Sequence, residues 1–105
     1  MNQLHVIEKT NSIERCYEGR ELYLAAGWRM SLKTAERLVG SEFHAHEKQV
    51  SPSHFSGVIL DYRRWKEDGK FEFLVRRDER LQGSVTPREG WGFTRKFVWN
   101  ESEQA

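Results

Sequence analysis

At 105 residues the chain has room for one domain around one modest core. It is 31% charged and 37% hydrophobic, yet its four tryptophans, three tyrosines and six phenylalanines exclude a disordered segment. A formal net charge of +1 excludes a protein that grips polyanions by bulk charge, so any basic surface must come from local clustering.

No apolar run approaches the roughly 20 residues of a membrane-spanning helix, so no membrane partner is expected. No secretory signal is recognisable. Cys16 is the single cysteine, which rules out an internal disulfide, and a cytoplasmic location is the expectation. Residues 1–105 read as a single domain, with 1–11 a lead-in and 100–105 an acidic, frayed tail.

In chain order, Leu4 to Lys9 reads as a short strand or ordered lead-in. Ser12 is a candidate cap for a helix in which Ile13, Cys16 and Tyr17 share a face, weakened by Gly19. The stretch from Glu21 to Gly27 extends that helix to a glycine stop, or alternates Leu22 and Leu24 on a strand; the helix is preferred. Ser31 to Val39 reads as a capped helix with Leu32, Ala35, Leu38 and Val39 on one face and Gly40 just past its end.

Glu42 to Lys48 alternates as a strand, with His44, His46 and Lys48 on one side and Phe43, Ala45 and Glu47 on the other. Val50 to Gly57 is turn-rich and reads as a loop. Val58 to Trp65 is a strand, Glu67-Asp68-Gly69-Lys70 a hairpin turn, and Lys70 to Arg76 the returning strand. Gln82 to Gly90 reads as a loop and Gly92 to Trp99 as a last strand. The sum is an α+β domain: a small curved or closed β-barrel of about five strands with one or two flanking helices. Closure would remove the exposed edges of so short a sheet.

Three constellations carry candidate chemistry. His44-x-His46 has a metal-ligand spacing, with His54 a conceivable third ligand. Gly40 is too close, and Glu47 faces the wrong way, for the cupin pattern. Hydrogen-bonded, half-buried histidines fit better, and no metal is expected. Lys33 and Glu36 lie on adjacent turns of the helix, either as a solvated pair or as a pair lining a pocket. Aromatic and basic residues interleave in Tyr62-Arg63-Arg64-Trp65-Lys66 and Trp91-Gly92-Phe93-Thr94-Arg95-Lys96. Single-stranded nucleic acid is held by such mixtures, because ring faces stack bases while cations meet phosphates. A barrel poor in aliphatics would also use its aromatics as core. No nucleophile elbow or phosphate-binding glycine motif is present, and no cofactor is implied.

The run Lys33-Thr34-Ala35-Glu36-Arg37, followed by strand, loop and strand, resembles the PUA-like superfamily of small barrels, including the ASCH and EVE domains. The ASCH signature is Gly-x-Lys-x-x-Glu-x-Arg. Lys33 and Glu36 match it; Ser31 stands at the glycine and Leu38 at the arginine, with Arg37 one place early. Ser56-Gly57-Val58-Ile59 resembles the segment where these domains enter a barrel strand. The resemblance spans residues 28–99 and implies a barrel that binds RNA or a modified base in a cleft.

The resulting expectation is a binding module for a nucleobase or for single-stranded or modified nucleic acid. Trp28, Lys33, Glu36, His44, His46 and Trp91 would line its cleft, and Arg63, Arg64, Arg95 and Lys96 would meet the nucleic-acid backbone. A small enzyme acting on nucleosides or RNA through Lys33 and Glu36, and a protein-interaction domain without a small ligand, are the alternatives. No catalytic residue is assigned.

Overall fold

The period-two alternation that runs through most of this chain becomes strand on almost every occasion. A computed structural model describes residues 2–8, 13–17 and 20–99. Seven strands are formed: β1 (Gln3–Ile7), β2 (Ile13–Tyr17), β3 (Leu22–Arg29), β4 (Glu42–His46), β5 (Ser53–Trp65), β6 (Glu67–Arg77) and β7 (Arg95–Val98). They make one open mixed sheet in the order β2-β3-β6-β5-β4-β1-β7. Every neighbouring pair is antiparallel except β1 and β4, which run parallel with His5 opposite His44 and Ile7 opposite His46.

The sheet curls over its own core. Tyr23 on β3 meets Phe55 on β5 with ring centroids 4.9 Å apart, and Trp28 on β3 lies 5.7 Å from Phe43 on β4. Those strands stand two and three places apart, and at about 4.8 Å per strand a flat sheet would hold them well beyond contact. Leu4, Val6, Ala25, Phe43, Ala45, Ile59, Phe71, Phe73 and Val75 are fully or almost fully buried inside this curl. The one α-helix among the described residues, α1 (Leu32–Leu38), adds Ala35 and Leu38 to the same core.

The cap expected of Ser31 is present: its Oγ accepts from the Thr34 backbone N–H at 3.2 Å, and Gly40 takes the left-handed φ of +88° just beyond the end. Only Ala35 and Leu38 of the expected apolar face are buried; Leu32 and Val39 are exposed. His44 and His46 do oppose Phe43 and Ala45 across β4.

Several expectations are corrected. The preferred helix across residues 13–27 is instead β2 and β3, because Leu22–Arg29 finds β6 on one side and β2 on the other. Cross-strand pairing outweighs a weak local helical pattern. The loop expected over Val50–Gly57 is shorter, since β5 begins at Ser53 and pairs with β4. The β5–β6 turn tightens to Lys66, whose φ is +58°, and the last strand covers only Arg95–Val98. The sheet has seven strands rather than about five and does not close. The candidate cap Ser12, Gly19 and the tail 100–105 lie outside the described residues.

Gly57 marks the tightest approach between strands. A Cβ there would sit 2.2 Å from the Arg76 carbonyl oxygen, which is backbone and cannot rotate away. Gly57→Ala is expected to cost about 3 kcal/mol, the upper end for overpacking a well-packed site, read as a lowered denaturant midpoint.

Candidate functional site

Because Leu4, Val6, Phe43 and Ala45 point into the core, the intervening residues of β1 and β4 emerge on the other face. The parallel register brings three of them together. His5 stacks on His44 with centroids 4.7 Å apart and planes 16° apart, and His5 lies 5.1 Å from His46. The segment between β6 and β7 folds over them. Ser53 N–H donates to the Ser84 carbonyl and Gly83 N–H to the Ser53 carbonyl. Trp91 sets its ring edge-on to His46 at 5.7 Å and to His5 at 6.3 Å. Lys96 Nζ donates to the Pro87 carbonyl at 2.6 Å. All three imidazoles are sealed from solvent.

Their hydrogen bonds fix their protonation states. His46 Nδ1 is 2.8 Å from the Ser51 carbonyl, which only accepts, so Nδ1 carries the proton and Nε2 is free to accept. His5 Nδ1–H therefore donates to His46 Nε2 at 2.8 Å. A neutral His5 then accepts at Nε2, so the Gln3 amide 2.8 Å away must present its NH2 group there. On the other branch His44 Nε2–H donates to Glu42 Oε1 at 2.9 Å, and His44 Nδ1 accepts from Ser56 Oγ at 2.8 Å. Ser56 accepts from Ser53 at 2.9 Å, and Ser53 Oγ accepts from the Gly83 and Ser84 N–H groups. Both ring nitrogens of His44 and both serine hydroxyls on this branch have partners with His44 neutral.

Burial is the main force holding all three below the ordinary histidine value. His5 falls from 6.5 to about 3, with His44, His46 and Lys96 adding to the effect of burial. His44 is lowered by burial against the opposing pull of Glu42, and His46 by burial against its bond to Ser51, with His44 and His54 lowering it further. Burial likewise lowers Lys96.

Ser56, His44 and Glu42 have the order of a nucleophile, base and orienting carboxylate. The hydroxyl is completely buried and lines none of the concavities described below, so no substrate carbonyl reaches it. This group is structural.

The large concavity lies elsewhere. A cleft of about 890 Å³ is walled on one side by Glu14 of β2, Leu24, Ala26, Gly27 and Trp28 of β3, Trp65, Lys66, and Lys70 and Glu72 of β6. The other wall is Ile7 of β1, the Glu47–Gln49 segment after β4, and Phe93 and Thr94 before β7. Trp65 packs directly on Gly27, where a Cβ would lie 2.2 Å from its ring. The ammonium groups of Lys66 and Lys70 sit 4.6 and 5.9 Å from the Trp65 ring centroid. Phe93 projects from the rim and is 97% exposed. Smaller concavities are lined by Glu8, Glu47, Lys48, Ser51, Pro52 and His54, and by Cys16, Leu24, Asp61, Tyr62, Arg63, Glu72 and Leu74.

The six residues expected to share one cleft are dispersed. Trp28 lines it, 7% exposed. His44 and His46 belong to the buried hydrogen-bonded layer, which Trp91 seals. Lys33 and Glu36 are exposed on α1, outside all three concavities; Glu36 accepts from the Tyr62 hydroxyl at 3.2 Å. Among the expected backbone-binding cations, Arg63 and Arg64 are exposed on β5, and Arg63 is paired with Glu72. Arg95 is half-buried. Lys96 corrects the expectation of an exposed cation, being 7% exposed on the histidine side of β7 opposite His5. His5, Ser53, Ser56 and Lys48 are absent from the expected site, and Phe93 enters it only as part of the interleaved run 91–96. For His5 the signal was there, since Leu4-His5-Val6 alternates just as Phe43-His44-Ala45 does.

Comparison with protein-family models, curated proteins and solved structures gives no match.

Two outcomes follow from the network. Ser56→Ala leaves His44 Nδ1 and the Ser53 hydroxyl without their buried partner, at a cost of about 1–3 kcal/mol in denaturant unfolding. All three histidines have folded values below their unfolded one, so the unfolded chain binds more protons in acid. Their contribution is complete above the ordinary histidine value of 6.5 and is lost as pH falls below it, for His5 down to about 3. Unfolding midpoints measured between pH 7.5 and 4 should therefore drop steadily with acidification.

Proposed function

We propose that this protein is a binding module for single-stranded nucleic acid or its nucleobases, held in the cleft between β2/β3/β6 and the 47–49 and 93–94 segments. The observation that carries this reading is the exposed ring of Phe93 at the rim of a concavity that also holds Trp65 and three lysines, Lys48, Lys66 and Lys70. A base stacks on an aromatic face whatever its sequence, and the ammonium groups that line the same cleft answer the phosphates that flank it. The stacking surface is Phe93, because its ring is 97% exposed whereas Trp65 is already packed on Gly27 and approached by Lys66 and Lys70. Trp28 and Leu24 supply the apolar floor.

The PUA-like resemblance supports the same class of ligand. The enzymatic alternative draws less support, since Lys33 and Glu36 sit apart from the cleft and the buried Ser56-His44-Glu42 group is closed to substrate.

Binding of a fluorescently labelled mixed-sequence RNA or DNA decamer tests the proposal. Affinity is expected to fall as salt rises, through release of cations bound to phosphate. Phe93→Ala should weaken binding about tenfold or more, in line with roughly 1–3 kcal/mol of stacking per base. Lys48→Glu with Lys66→Glu should weaken it for every sequence and flatten the salt dependence. Lys33→Ala should leave it unchanged. No binding of either strand type at low salt would overturn the reading in favour of a protein-interaction domain.

A further inference from the structure

The cleft and the histidine layer share two stretches of chain. His46 is followed directly by Glu47, Lys48 and Gln49, which line the cleft. Trp91, whose edge rests on His5 and His46, is followed by Gly92, Phe93 and Thr94, of which the last two line it. Gln49 Nε2 donates to the Gly92 carbonyl at 3.2 Å, tying the two stretches together. One wall of the cleft therefore stands on the imidazoles.

That footing is held lightly. The Trp91 side chain packs against the imidazoles, and its buried Nε1–H has no acceptor among the described residues. An unmet buried donor favours states in which water reaches it.

The geometry points to an acid-released latch: protonation of His5 or His46 frees the Trp91–Thr94 segment from the histidine layer, displaces Phe93 and switches off ligand binding. This regulation rests on the binding reading above. Apart from the Ser51 carbonyl, whose bond to His46 Nδ1–H favours its charged form, the groups facing the two rings oppose a proton in the closed form. His5 faces His44, His46 and, from β7, Lys96; His46 faces His44 and, from β5, His54. Glu42, the carboxylate of the network, is engaged by His44, and Glu8 is paired with His54 at 3.6 Å. An added proton on His5 Nδ1–H or His46 Nδ1–H has only Nε2 to occupy. On His46 that breaks the bond from His5; on His5 it sets a cation among His44, His46 and Lys96. Once the segment lifts, the rings meet water and titrate normally. Each pH unit below the ordinary histidine value then raises the open population by up to about tenfold per ring.

Backbone amide exchange of the whole chain, measured from pH 7.5 to 5 and corrected for intrinsic rates, tests this. Protection at 47–49 and 91–94 is expected to fall about tenfold or more, while the β3–β6 amides keep theirs. His46→Gln retains an acceptor for His5 Nδ1–H but does not titrate, and should weaken the pH dependence. Decamer affinity should fall over the same range in the natural protein and fall less in the variant. A pH-independent 91–94 segment, or one that opens only together with β3–β6, overturns the latch; the natural protein alone decides this if the variant does not fold. Acid opening of 91–94 with no decamer bound at any pH supports the latch and overturns the binding reading.

Discussion

The buried chain of hydrogen bonds from Gln3 through His5 and His46 to Ser51, with its branch from Glu42 through His44, Ser56 and Ser53 to the 83–84 amides, is the constraint on which the rest of this structure depends. A small sheet has two faces and one apolar core to cover them with. Here one face closes on itself by curling, and the other is covered by a segment with little regular structure between β6 and β7. Such a segment has few backbone partners of its own. Ser53 supplies them, pairing through its backbone and accepting the Gly83 and Ser84 N–H groups on its hydroxyl. Buried polar groups cost little when each is met and much when one is not, so this cover is held in one arrangement.

The curl and the cover together create the cleft. An open sheet of seven strands has two edges, β2 and β7. Curling carries β2 and β3 round toward the ends of β1 and β4, and the cleft lies between them. One wall is rigid sheet, with Trp65 seated on Gly27 and Trp28 in the core. The other wall is short connecting chain whose position derives from the histidines beneath it. In a cleft with one wall of sheet and one of connecting chain, chemistry beneath the connecting chain can alter the shape of the cleft.

What was legible in the sequence follows the range of the interactions involved. The helix after Ser31 is specified by its own cap and by Gly40, so it was read correctly. The opposition of His44 and His46 to Phe43 and Ala45 is a property of one strand, and it too was read. The ring that completes the cluster, His5, lies about forty residues away and arrives by the parallel pairing of β1 with β4, which no local pattern announces. Residues 13–29 were misread because Ile13, Cys16 and Tyr17 suit a helix locally, whereas pairing with β6 settles the matter. Arg95 and Lys96, adjacent on β7, take opposite sides of the strand, but the period cannot say which side is covered. The cleft is the least legible feature, since its walls come from seven places in the chain.

Histidines in a buried layer of a small domain call for a physical reason, because apolar residues of similar size would pack there without unmet donors. Register is that reason. A one-residue slip of β1 against β4 would turn His5 into the core and Leu4 and Val6 outward, and the same holds for His44 and His46 against Phe43 and Ala45. An apolar layer on both faces would tolerate that slip, since either set of side chains would be buried. With histidines on one face alone, the slipped pairing leaves imidazole nitrogens in an apolar core without partners, at about 1–3 kcal/mol for each unmet group. Parallel pairing between distant segments has no hairpin turn to set its alignment, so β1 and β4 are where such a device has most to do. The same feature that fixes the register leaves the domain with neutral, water-excluded imidazoles, and so with a stability that depends on pH. Specificity of pairing and sensitivity to acid are two consequences of one choice of side chain.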